Sequence, residues 1–74
     1  MGKLAGFRYS DVVRKLRNAG FQFERHAAGS HEIWRHPGTR RKTTLVRHPR
    51  DIPEGTLRSI IREAGLTPDE FLKL

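Results

Sequence analysis

The chain contains no cysteine, so disulfide bridges, thiolate zinc sites and thiol nucleophiles are excluded together. Long apolar runs are missing as well. The hydrophobic fraction is 35%, and no stretch approaches the roughly 20 consecutive apolar residues that cross a bilayer. The opening segment, Met1 to Arg8, lacks the apolar core of a secretory signal, which sets the expectation of a cytoplasmic protein with no membrane partner. Internal repeats, low-complexity tracts and linker-like segments are also wanting. At 74 residues the chain is expected to form a single domain with one compact core. A domain of this size buries only about 60% of the surface that its unfolded chain exposes, so nearly every large apolar residue is needed for folding.

Acidic side chains are the remaining scarcity. Eight Asp and Glu stand against fifteen Lys and Arg, a formal net charge of +7. Such an imbalance in a short chain points to a polyanionic partner, nucleic acid first. Lys occurs only at 3, 15, 42 and 73, and the other cations are Arg, whose planar guanidinium holds phosphate in a bidentate fork. From Arg35 to Arg50 there are six Lys or Arg and no acid. That run marks Arg35, Arg40, Arg41, Lys42 and Arg47 as candidate RNA-binding residues, with His48 beside them.

Gly and Pro divide the chain into short elements. Ser10 can cap a first helix in which Val12, Val13, Leu16 and Ala19 recur at helical spacing before Gly20 stops it. Aromatic and polar residues then alternate from Phe21 to His26, as in a half-buried strand, and Ala27 to Ser30 forms a hairpin loop leading into a second strand, His31 to His36. Closing the hairpin symmetrically places Phe23 opposite Trp34, Phe21 opposite His36 and Arg25 opposite Glu32 on one face. The other face then carries His26 beside His31, Glu24 beside Ile33 and Gln22 beside Arg35, leaving His31 open to solvent. Pro37 to Arg41 reads as a turn and Lys42 to Arg47 as a third strand, with Leu45 inward and Val46 and His48 on the side of His31. Pro53 opens a second helix whose stripe is Leu57, Ile60, Ile61 and Ala64, ended by Gly65. Thr67 to Glu70 is a capping box that starts a short last helix carrying Phe71, Leu72 and Leu74. The expected class is α+β, ordered αβββα, with a three-stranded antiparallel sheet, helices on its one apolar face and a short C-terminal helix.

All four histidines, His26, His31, His36 and His48, lie in or beside the sheet region. A metal site is disfavoured because His31 and His36 are five apart on one strand and point to opposite faces, while no thiolate is available. No metal and no cofactor are therefore expected. Metal-free RNA cleavage asks for less: the RNA's 2′-hydroxyl attacks the adjacent phosphorus if a base removes its proton and an acid protonates the departing 5′-oxygen. Histidine suits both roles, and neighbouring cations stabilise the charge of the transition state. Spacing alone does not choose among the four.

Gly29-Ser-His-Glu-Ile-Trp34 resembles the Gly-Ser-His-x-x-aromatic motif of HicA toxins, also called the YcfA-like family, and Val46 to Gly65 resembles that family's His-Pro, Gly-Thr-Leu and Ala-Gly segment. The similarity runs nearly the length of the chain, so residues 1–74 read as a single HicA-like domain. The resemblance implies a fold like that of double-stranded RNA-binding domains, and a toxin that cuts mRNA as a ribosome-independent endonuclease and is silenced by a HicB-type antitoxin. By position it makes His31 the catalytic residue. Two departures stand out: the family often has further His directly after the motif His, where this chain has Glu32 and Ile33, and often Pro where this chain has Val46. The proton donor is thus unassigned, with His48 as a candidate for a supporting role. The competing expectation is a non-catalytic RNA-binding module of the same fold.

Overall fold

The computed structural model describes residues 2–74. Its elements, in chain order, are α1 (Tyr9–Asn18), β1 (Gln22–His26), β2 (His31–Arg35), β3 (Lys42–Val46), α2 (Glu54–Glu63) and α3 (Pro68–Leu72). This is the expected α+β order.

Helix α1 forms because Val12 and Leu16, one turn apart, are both fully buried, with Val13 and Tyr9 packed beside them and charged residues at Asp11, Arg14 and Arg17. It begins earlier than Ser10 suggests. The backbone is extended at Arg8, whose N–H donates to the Asp11 carboxylate at 2.9 Å, and Ser10 lies within the first turn. A carboxylate reaching back three residues satisfies an orphan amide and complements the helix's positive end, and here it displaces the serine as the organising group. The helix stops where expected. Gly20 adopts a φ of +98°, and the amides of Phe21 and Gly20 close onto the carbonyls of Leu16 and Arg17 at 2.9 and 3.0 Å, a Schellman termination. Helix α2 ends in the same way, with Leu66 donating to Ile61 and Gly65 to Arg62. At α3 the capping box is complete: the Glu70 amide donates to Thr67 Oγ1 at 3.1 Å and the Thr67 amide to Glu70 Oε1 at 2.8 Å.

The sheet is antiparallel in the order β1-β2-β3. On one face Trp34 and Leu45 join Val12, Leu16, Leu57 and Ile61 in the core, so both long helices serve the same side of the sheet. The opposite face carries His31, Ile33 and Arg35 of β2 opposite Val46, Thr44 and Lys42 of β3, all exposed or half-buried. Leu45 points inward and Val46 lies opposite His31, as expected.

The β1–β2 pairing starts as expected, with Gln22 opposite Arg35 and Phe23 opposite Trp34, and then slips by one residue. Beyond the slip Arg25 faces Ile33 and His26 faces Glu32. Three expectations are thereby corrected: His26 is not beside His31, Arg25 is not opposite Glu32, and Glu24 is the extra residue of a β-bulge. The physical reason is that a bulge sets two residues against one and inverts the facing of everything beyond it. Two features of the fold then make sense. His26 moves to the side of Phe23, their rings 5.1 Å apart, and Glu32 is freed from any cation at the rim and turns into the protein.

Candidate nucleic-acid interface

His31 is the first residue of β2, immediately after a four-residue loop in which Gly29 takes a φ of +68°. That left-handed residue folds the loop back so that the Ala28 carbonyl comes 3.0 Å from His31 Nδ1. A carbonyl only accepts, so Nδ1 must carry the proton in this contact. In the neutral ring the other nitrogen, Nε2, then holds a free lone pair. The side chain is exposed, and strand alternation directs it to the uncovered face.

The other histidines have different surroundings. His36 Nδ1 accepts from the amides of Gly38 and Thr39, each at 3.0 Å, and its ring stacks edge-on against Phe21 at 5.3 Å, so it organises the β2–β3 turn. His48 lies two residues past β3 and, with Arg8, Tyr9, Arg47 and Arg50, lines an open cavity at the start of α1.

The residues proposed from charge alone fall into three places. Arg35 and Lys42 are paired across β2 and β3 on the open face. Arg47 and His48 share the cavity at α1, where the Arg47 guanidinium lies 4.7 Å from the centre of the Tyr9 ring. Arg40 and Arg41 stand at the far end of the sheet, in the turn before β3; Arg40 has a φ of +65°, and the guanidinium of Arg41 lies against Gly65, where the negative end of α2 attracts it.

Below the sheet, Glu32 is 8% exposed and accepts from the Tyr9 hydroxyl at 2.6 Å and from Trp34 Nε1 at 3.1 Å. This network, absent from the sequence reading, ties the strand that begins with His31 to the first turn of α1. Burial, and then the Glu32 carboxylate, hold the Tyr9 phenol above its ordinary pKa, with Arg47 opposing. Reading the sequence also missed that the acid-free run is not acid-free in space. Glu24, delivered by the bulge, lies 3.4 Å from Lys42 Nζ, 3.7 Å from Arg25 Nε and 3.8 Å from Arg35 Nε. The only signal for it was a charged strand residue at the point where the register breaks, and that break has no mark in composition.

Among the described residues no helix is long and apolar enough to cross a membrane. Comparison with family models gives a match over residues 9–66 to the HicA toxin of bacterial toxin-antitoxin systems. The matched region contains both long helices and the whole sheet, with the loop that positions His31. No curated protein matches the chain.

Proposed function

The chain belongs to the HicA toxin family of bacterial toxin-antitoxin systems, and on that premise we propose that it is a metal-independent mRNA endonuclease in which His31 is the catalytic residue. The observation that carries the reading is the held His31 ring, with Nδ1 donating to the Ala28 carbonyl and the exposed Nε2 left as a base. Nε2 takes the proton of the RNA 2′-hydroxyl, whose oxygen attacks the adjacent phosphorus. The bond from phosphorus to the 5′-oxygen breaks, and that oxygen leaves with a proton from a second donor or from water. The products are a 2′,3′-cyclic phosphate and a free 5′-hydroxyl. Arg35 and Lys42 on the same face supply positive charge for the backbone, and Arg40, Arg41, Arg47 and His48 extend it to either end.

The partner on this reading is a HicB-type antitoxin that covers the open face and is expressed with the toxin. Purified chain incubated with RNA in the presence of EDTA should yield fragments ending in cyclic phosphate. An RNA with a 2′-deoxy residue at the scissile position should bind but resist cleavage there. Binding without cleavage of any RNA would favour the non-catalytic module instead, and cleavage through the 2′-deoxy position would rule out the hydroxyl as nucleophile.

A further inference from the structure

The bulge in β1 brings charges from three strands to one point on the open face. Arg25 shares β1 with Glu24, Arg35 comes from β2 and Lys42 from β3, and all three cations lie within 3.8 Å of the one carboxylate. One negative group among three positive ones leaves the cluster electropositive. The separations of 3.4 to 3.8 Å exceed the roughly 2.7–2.9 Å of a charge-assisted hydrogen bond. The carboxylate is therefore held by attraction without being locked by directional bonds, and the guanidinium forks are left able to grip another anion. Beside it, Gln22, Phe23, Glu24, Arg35 and Pro37 line a small open cavity of about 160 Å³.

We propose that Arg25, Arg35 and Lys42 form a phosphate-binding site that Glu24 occupies in the free protein, so that an RNA phosphodiester enters by displacing the Glu24 carboxylate. The inference rests on the reading of the open face as an RNA-binding surface, and it adds two residues to that surface, Arg25 as a ligand and Glu24 as the occupant. A phosphodiester offers two non-bridging oxygens to the guanidinium forks in place of a carboxylate held at longer range. Glu24 thus lowers affinity for every RNA alike, since the contact is to backbone and carries no base information. Its side chain is 30% exposed, so part of its repulsion toward an incoming phosphate is unscreened by water.

Two probes test this with the full chain: a 2′-O-methyl RNA oligonucleotide, which lacks the nucleophile and so cannot be cut, and inorganic tripolyphosphate. Glu24→Gln should bind both about three- to tenfold more tightly than the native chain at low salt, and adding Arg35→Ala should cancel the gain. In the native chain the NMR signal of the Glu24 carboxyl should shift as tripolyphosphate saturates the site. Equal or weaker binding of tripolyphosphate by Glu24→Gln would overturn the proposal, because Glu24 would then be building the cation cluster instead of blocking it. An unmoved carboxyl signal at saturation would overturn it without any variant. If tripolyphosphate binds Glu24→Gln more tightly while neither form binds the oligonucleotide, the anion site stands and the RNA reading falls.

Discussion

Along β2 the chain changes surroundings at every residue. Glu32 and Trp34 lie under the helices, 8% and 2% exposed, whereas His31, Ile33 and Arg35 face the other way, into solvent or at its margin. The covered side is over-determined: Trp34 packs with Leu16 and Leu57 in the core, its indole donates to Glu32, and the Arg17 guanidinium lies 5.4 Å from its ring. The uncovered side is almost free of packing demands. A residue there can be chosen for what it does to a ligand, because it contributes little to holding the fold. Substitutions on the two faces should accordingly separate activity from stability.

The largest effect is expected at His31. His31→Ala should lower RNA cleavage by about 10²–10⁴-fold, the usual contribution of a general base, while thermal unfolding moves by no more than about 0.5 kcal/mol. An unfolded variant would place His31 on the wrong side of the comparison, and a fully active one would remove it from the chemistry. Leu45, next to Val46 on β3 but fully buried, should behave in the opposite sense. Leu45→Ala is expected to cost about 2–5 kcal/mol, comparable to the whole stability of a small domain, with cleavage per folded molecule retained; denaturant titration beside an activity assay checks both halves.

Tyr9→Phe sharpens the comparison at the boundary between the faces. It takes the shorter of two hydrogen bonds from the buried Glu32 carboxylate and should cost about 1–3 kcal/mol. Because the Tyr9 pKa is raised in the folded state above 10.0, its contribution is complete below the unfolded value and is lost as pH climbs through the raised one. The native chain should thus weaken in alkali by a component that Tyr9→Phe lacks, as urea midpoints measured across that range would reveal. The smallest effect belongs to Arg35→Ala. Stability should hardly change, and the slope of log affinity for RNA against log salt should fall by about one phosphate contact. An unchanged slope would take Arg35 out of the interface.

How far the sequence was legible follows the same division. Elements governed by local chemistry could be read from it: the 67–70 capping box, the stops at Gly20 and Gly65, the stripe of α2, and the alternation that put Leu45 in and Val46 out. The first pairs of the hairpin were legible because Phe23 and Trp34 are both apolar and belong on one side. The pairing failed where charge replaced hydrophobicity. Nothing in Glu24-Arg25-His26 favours a regular ladder over a bulged one, and the slip relocates every partner beyond it. The Glu32 carboxylate could be understood only with Tyr9 in place, 23 positions away in the chain. His31 could be named as a candidate because its motif is local, whereas the cluster around Glu24 depends on three strands meeting.

Glu63 bears on a different matter, how copies of this chain can meet. From α2 its carboxylate accepts from the Thr44 amide at 3.2 Å and from Thr43 Oγ1 at 3.0 Å, closing the middle of the outer edge of β3, one of two edges in a sheet ordered β1-β2-β3. Exposed edges are where sheets recruit further strands. A strand adding at β3 therefore has to displace the Glu63 carboxylate from the Thr44 amide first, which makes growth through that edge less favourable. Fibres built edge to edge require both sides open. One glutamate thus weighs against open-ended joining of copies through their sheet edges.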